Sequence, residues 1–333
     1  MVVNYKRIYP MKKILIITRS IVLFSTIVAL ISVFSSCEGP TGEDGTAGCV
    51  DCHNETNFLR EKVLAYQESA HFTGGAFARG TSGSCVPCHA SQGFRQLAAG
   101  EEVTAHPSPM KTGCTTCHQI HETYSLEDFA LTTTDPVTLS GTYTEGAPAV
   151  DIGKGNLCVN CHQTRLRTYG IEIDGTGDFE ISSSHFGPHY GTPGNVLVGV
   201  GLFEVPGAAS YTNSAHTGAV PDGCVTCHMH GDIHSFEPSE DACIVCHADI
   251  DGFDYRDIQT EMEELMDELQ AALIADGLLL EEDGETHPND EAVTTHNKAG
   301  ALFNYQGLVS DGSYGIHNTK YTRAILQNSI DLF

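Results

Sequence analysis

Six times in this chain two cysteines stand three positions apart with a histidine directly behind them. The sets are Cys49/Cys52/His53, Cys85/Cys88/His89, Cys114/Cys117/His118, Cys158/Cys161/His162, Cys224/Cys227/His228 and Cys243/Cys246/His247. Thiols at this spacing can bind zinc, close a disulfide, or add to the two vinyl groups of a haem. Only the last use needs the histidine, which takes an axial position on the iron while two thioethers hold one porphyrin edge. Histidine is about one residue in twenty here, so six in six by chance has odds of roughly one in 10⁸. The motifs therefore predict six covalently bound haem c groups, with His53, His89, His118, His162, His228 and His247 as proximal ligands.

Eleven of the 17 histidines remain, enough to give every iron a second imidazole. A repeat ranks them. YQESAHFTGGAFARGTSGSCVPCH (66–89) and YTNSAHTGAVPDGCVTCH (211–228) share Tyr-x-x-Ser-Ala-His, a Gly-rich loop and Cys-Val-x-Cys-His. Two copies of one unit give His71 and His216 a common role, a distal ligand presented from a short helix start. His121 follows His118 by three residues, one helical turn on, so it cannot bind the same iron face and would serve a neighbouring haem. His234 and His230 compete for one further iron, and His189 and His185 for another, with His234 and His189 preferred. His106 is a weaker loop candidate, and His287 sits in an acidic Pro-containing turn expected to face solvent. His317 precedes a helix capped around Asn318 or Thr319, a good place to present a ligand.

These ligands must be positioned by little polypeptide, about fifty residues per motif. Haems would then supply much of the buried apolar surface, with thioethers as staples in place of ordinary core packing. No Trp, 34 Gly and 13 Pro suit a loop-rich wrapper. Regular periodicity is confined to the C-terminal part. From Ile258, Met262, Leu265, Met266, Leu269 and Leu273 form a helical stripe that ends before Gly277. A second helix is expected over about 290–306, carrying His296. The fold class expected is mainly α with extensive loops and little β.

The N-terminus has another function. Lys6, Arg7, Lys12 and Lys13 precede an apolar run, Ile14 to Phe34, that closes in Ser35-Ser36-Cys37, as in an export signal; Met11 offers an alternative start. A transmembrane anchor competes on length, but Arg19 interrupts the run. The six motifs use 12 of 13 cysteines and leave only Cys37. The segment resembles a bacterial lipoprotein signal, which implies lipidation of Cys37 and attachment to a membrane. Simple cleavage leaving a free thiol is the alternative. GPTGEDGTAG (39–48) reads as a flexible tether. Beyond residue 37, 12 basic residues face 43 acidic ones, a formal charge of −31. Such a surface excludes nucleic acid as a partner and favours a basic docking patch on a redox protein. The expected organisation is a signal over 1–36, a tether over 37–48, a hexahaem region over 49–255, and a helical segment over 256–333 that packs on the haem core and supplies a distal histidine.

CVTCHMHGDIHSFEPSEDACIVCH, HFGPHYGTPGNVLVGVG and DGSYGIHNTKYTRAIL resemble segments of multihaem c-type cytochromes related to cytochrome c nitrite reductase, octahaem reductases and the tetrahaem partner of hydroxylamine oxidoreductase. The resemblance covers most of 49–330. It implies a multihaem cytochrome fold organised around closely stacked haems, with His317, His216 and His234 as distal ligands. The chain departs from the ammonia-forming nitrite reductases in having no C-x-x-C-K motif, the one that leaves a catalytic face open. A haem with both axial positions filled exchanges electrons but does not readily bind substrate. The expected function is electron transfer along mostly bis-His haems, between a membrane-linked donor and a periplasmic or extracellular acceptor. No catalytic residue is assigned. The protein would be lipid-anchored at the outer membrane, on its periplasmic face or at the cell surface. The alternatives are a reductase of a small nitrogen or sulfur oxyanion, with His185, His189 and Arg165 or Arg167 at one open haem, and a subunit of an extracellular filament.

Overall fold

Three C-terminal helices carry most of the regular structure. A computed structural model describes residue 53 and residues 57–139, 149–165 and 171–333. The signal-like segment, Cys37, the tether, Cys49, Cys52 and Arg167 lie outside the described residues. The chain divides into residues 1–54, of which His53 alone is described, and one compact unit, 55–333. The unit opens with helix α1 (Asn57–Glu68), and helix α2 (Ser91–Ala98) follows the second motif.

Helix α3 (Ile258–Ala275) buries Met262, Met266, Leu269 and Leu273, the expected stripe. Its start is fixed from outside: Asp254 accepts the amides of Gln259 and Thr260 at 2.7 and 3.1 Å. The Thr260 hydroxyl adds a third bond at 2.6 Å, and these bonds hold the Asp254 carboxyl below its ordinary range. Gly277, at φ +75°, ends the helix in the left-handed region where a side chain would be strained.

The chain then departs from the helical expectation. Strands β2 (Leu279–Glu282) and β3 (Glu285–Pro288) form a hairpin around Asp283-Gly284, both at positive φ, which suits a two-residue primed turn. His287 lies in β3 opposite Leu280 and is half-buried rather than facing solvent. Strand β4 (Val293–Thr295) pairs antiparallel with β1 (Asp178–Glu180). That pairing takes the residues assigned from sequence to the start of the next helix, so α4 runs His296–Asp311 instead of beginning near 290. Thr295 caps it, its hydroxyl accepting the Lys298 amide at 3.3 Å.

Helix α4 is buried on nearly every face and acts as the spine of the unit. Gly300 and Gly307 let the segment 202–203 press onto it; a Cβ at Gly300 would lie 2.1 Å from the Phe203 ring. Two buried asparagines hold that irregular segment as a neighbouring strand would. The Asn304 amide bonds both the N–H and the carbonyl of Phe203 at 2.7 Å, and Asn328 does the same for Ala209 at 2.9 Å. Asn328 belongs to helix α5 (Thr319–Ile330), and Arg323 of that helix forms a two-bond ion pair with Glu261 of α3, each bond 2.6 Å.

The main apolar core is drawn entirely from residues 171–205 and 262–326. Among the described residues, no hydrophobic side chain between 206 and 261 is buried, although two motifs lie there. Upstream of residue 171 the buried apolar set is small: Val86, Ala90, Phe94 and the cluster Val137, Val150 and Val159. This is the distribution expected of a polypeptide whose packing partners are porphyrins.

Candidate haem sites

Each described motif makes one helical turn. The backbone N–H of the histidine reaches the carbonyl of the first cysteine at 3.0 Å for His89, 2.9 Å for His118 and His162, and 2.8 Å for His247. The fifth motif forms the helical turn Cys224–His228. A four-residue return of this kind brings the imidazole and both sulfurs to one side of the backbone. That is the arrangement needed to hold one porphyrin by an edge and its iron from below.

The motif cysteines differ in burial. Cys85, Cys88, Cys117, Cys158, Cys161, Cys224, Cys227 and Cys243 are half-buried, whereas Cys114 and Cys246 are exposed. The reason at Cys246 is local. It follows exposed Ile244 and Val245, in a stretch where no hydrophobic side chain is buried, so the 243–247 turn lies at the surface of the unit with little polypeptide packed on it. The second thiol of this motif therefore faces solvent, while its histidine is half-buried against Tyr255, ring centroids 4.6 Å apart.

A second imidazole faces each of these five histidines. The ring centroids of His71 and His162 are 6.0 Å apart, and those of His89 and His189, His118 and His234, and His216 and His247 are each 6.1 Å apart. His228 and His317 lie at 6.2 Å. An imidazole nitrogen binds a transition metal at about 2 Å with its ring centre about 1 Å further back, so two trans imidazoles on one iron stand about 6 Å apart. The residues therefore fit bis-His haem c. They do not fit zinc, because no group of three or more metal-binding side chains converges among the described residues.

The remaining imidazole nitrogens fix the tautomer. Nδ1–H donates to the carbonyls of Phe129 from His118 (2.7 Å), Phe236 from His228 (2.9 Å), Ile316 from His216 (2.7 Å) and Asp232 from His234 (3.1 Å). A proton held on Nδ1 leaves Nε2 as the ligating lone pair. His162 is held neutral: burial and the nearby His71, His228 and His317 lower its pKa to about 4. Burial also lowers His71, His89 and His234. His317 moves the other way. Burial opposes its charge, but the carboxylate of Asp311, 2.8 Å from Nδ1, outweighs that and raises its pKa.

The repeat places its two histidines alike, at the start of the helical turns Ala70–Thr73 and His216–Ala219, but neither faces the motif that follows it. His71 faces the histidine of the motif at 158–162 and His216 that of the motif at 243–247. The competing pairs separate: His189 faces His89 and His234 faces His118. His185 lies against Ser184, His106 near Gln96 (3.4 Å), and His230 in the turn His230–Asp232. His296 packs on Phe179 and accepts the Glu172 amide, a structural role. His121 is exposed, at φ +68°, with its ring stacked on Tyr124. Its loop is organised by buried Asp128, which accepts the amides of His121, Thr123 and Tyr124. His53 is exposed.

Three further residues shape the sites: Phe236 and Asp311 carry no signal in the sequence, and Asn318, the expected cap of α5, does more than cap its helix. Phe236 stands edge-on to His71 at 4.9 Å and near His234 at 6.3 Å, and its carbonyl holds His228, so it touches ligands of three different pairs. Asn318, fully buried, accepts the Ser214 and Tyr321 amides and donates to Asn213 at 2.8 Å. It thereby ties the His216 segment to the helix behind His317. Asp311 is the third.

The motifs also touch one another. The Cys88 thiol approaches the Asn160 carbonyl (3.7 Å) and the Cys161 thiol the Pro87 carbonyl (3.9 Å), and each thiol shifts the other's pKa, Cys88 downward and Cys161 upward. Cys158 and Cys224 likewise shift one another, Cys158 upward and Cys224 downward. The 158–162 motif thus has a neighbour at each of its cysteines. Arg165 bridges the two sides of the His89–His189 pair, its amide donating to the Pro188 carbonyl at 3.1 Å and its guanidinium to the Ser84 carbonyl.

The outer cell wall cytochrome OcwA has a similar structure, with a TM-score of 0.50 and 17% identity over 80% of this chain and 49% of that one. An undecahaem cytochrome from the S-layer of Carboxydothermus ferrireducens aligns with a TM-score of 0.43 and 18% identity, over 79% of this chain and 39% of its own. The chain therefore spans about half the length of the first. No family model and no curated protein matches the sequence. The fold is that of a multihaem cytochrome, largely helical with long loops and short antiparallel strands.

Proposed function

We propose that this chain is an exported electron carrier with six covalent haem c groups, five of them with both axial positions filled by the histidine pairs above. The observation that carries this reading is the recurrence of one ring separation, 6.0–6.2 Å, at all five described motifs. Bound haem c would supply a one-electron couple at each site. The chain's residues orient each iron, fill its coordination and exclude substrate from it. Cys246 keeps its thioether role, at a solvent-facing porphyrin edge. The sixth haem is assigned to Cys49, Cys52 and His53, and His121 keeps the axial role expected of it.

Contact between motifs supports transfer over short steps. Through Cys88/Cys161 and Cys158/Cys224, the haem on His162 would neighbour those on His89 and His228, a central position in the array. Export and lipidation at Cys37 are proposed from the N-terminal segment, and the similar structure belongs to an outer cell wall cytochrome. The acidic surface suits a basic redox partner. The oxyanion-reductase alternative is weaker because His189 is engaged opposite His89 and Arg165 is tied to the backbone of that same site. Pyridine haemochrome should return six haems per chain, and ferric spectra should be low-spin. A stoichiometric high-spin haem on any of the five paired sites would overturn the carrier reading.

A further inference from the structure

Four of the ligand histidines described above donate Nδ1–H to a backbone carbonyl, but His317 donates to a carboxylate. We infer that Asp311 sets the reduction potential of the His228/His317 haem, holding it below the value a carbonyl partner would give. This rests on the bis-His reading of that pair. The Asp311 side chain is 1% exposed and closes the C-terminus of α4. Both circumstances disfavour a carboxylate, through desolvation and through the negative end of the helix dipole. Its presence there is offset by a fixed set of donors. Oδ1 takes the His317 Nδ1–H at 2.8 Å, and Oδ2 takes the hydroxyl and the amide of Ser313. The Ser313 hydroxyl in turn accepts the His317 amide at 3.3 Å, so backbone and ring of the ligand are held by one closed loop.

The electronic consequence follows from the acceptor. A carboxylate draws the Nδ1 proton more strongly than a carbonyl does, which makes Nε2 a better donor to iron. A stronger donor and a nearby negative charge both stabilise Fe(III) over Fe(II). The one-electron couple Fe(III) + e⁻ → Fe(II) at this haem therefore moves to lower potential. Asp311 acts through His317 and is a positioning and tuning residue.

The test is a spectroelectrochemical titration of the intact six-haem protein with Asp311→Asn, which keeps the shape and an oxygen acceptor but removes the charge. One of the six midpoints should rise by about tenfold in the ferric/ferrous ratio, ~59 mV for one electron, with the haem still low-spin. Ser313→Ala should move the same midpoint downward, because it removes a donor that shares the carboxylate's charge. A merely structural role predicts no such opposite pair of shifts. Unchanged midpoints in Asp311→Asn, or a haem that becomes high-spin, would overturn the inference. His317→Ala separates the two levels: a single new high-spin haem establishes ligation independently of tuning, and its absence counts against the ligand assignment itself.

Discussion

The imidazole of His216 donates its Nδ1 proton to the carbonyl of Ile316, 2.7 Å away and one residue before His317. Two distal ligands that face different motifs are thus set by one strip of chain. Asn318 completes the clamp, fully buried and bonded to Asn213, Ser214 and the Leu197 carbonyl. Asn318→Ala should cost ~2–3 kcal/mol, combining a lost helix cap with unsatisfied buried donors. It should also disturb two haems at once. Denaturant unfolding gives the first quantity, and carbon monoxide uptake by the reduced protein, rising toward two equivalents, gives the second.

The five pairs fall into two geometric classes. His71/His162, His89/His189 and His216/His247 have ring planes at 76°, 79° and 78°, whereas His118/His234 and His228/His317 stand at 33° and 46°. Perpendicular imidazoles donate equally into the two iron π orbitals and leave them nearly degenerate. Rings closer to parallel split them. Low-temperature electron paramagnetic resonance should give three strongly axial low-spin signals and two rhombic ones, with the sixth haem adding to either class. Five rhombic signals would contradict these ligand planes.

Single distal substitutions should discriminate between neighbours in the sequence. His189→Ala and His234→Ala are each expected to open one haem to carbon monoxide, with one equivalent bound after reduction. His185→Ala and His230→Ala should bind none. Reversal within either pair would reassign the ligand.

The ion pair between α3 and α5 gives a pH signature. Glu261 has its pKa lowered by its hydrogen bonds and charge pairing with Arg323. A carboxyl depressed in the folded state stabilises above its unfolded pKa, and that stability is lost as pH falls through the folded value. The pair is partly exposed, so Glu261→Gln should cost only ~0.5 kcal/mol at neutral pH. Thermal melts of the two proteins should converge as pH falls below the ordinary glutamate range, through the depressed folded pKa.

Haem attachment should decide which parts of the unit are folded. Core residues come from 171–205 and 262–326, and no hydrophobic side chain over 206–261 is buried. Protein made without haem should be cut by protease within 206–257 while α3 to α5 stay protected; uniform protection by mass spectrometry would refute this.

Much of the site chemistry is local and therefore legible. Cys-x-x-Cys-His is a five-residue statement, and the helical stripe at Met262–Leu273 follows from periodicity. Burial of the thiols is not local, which is why nothing in the motif itself marks Cys246 as exposed and Cys161 as half-buried. The pairing of ligands is not local either: facing histidines are separated by 31 residues (His216/His247) to 116 (His118/His234). No spacing rule connects His89 to His189 across two intervening motifs. Asp311 is one of 43 acidic residues, and only burial sets it apart. The β2–β3 hairpin did carry a turn signal, Asp283-Gly284, but its flanking strands, Leu-Leu-Glu-Glu and Glu-Thr-His-Pro, do not alternate, and helical neighbours on both sides obscured it. The α4 start shifted because Val293–Thr295 found a partner strand more than a hundred residues earlier.

The direction of those long pairings has a consequence for biogenesis. If the chain crosses the membrane from its N-terminus, His71 and His216 emerge before the motifs they face, so those two haems can be capped as soon as they are attached. The haems on His89, His118 and His228 must wait for His189, His234 and His317. During secretion these three sites would stay without their second histidine for longer, and the His228 site until His317 itself has crossed.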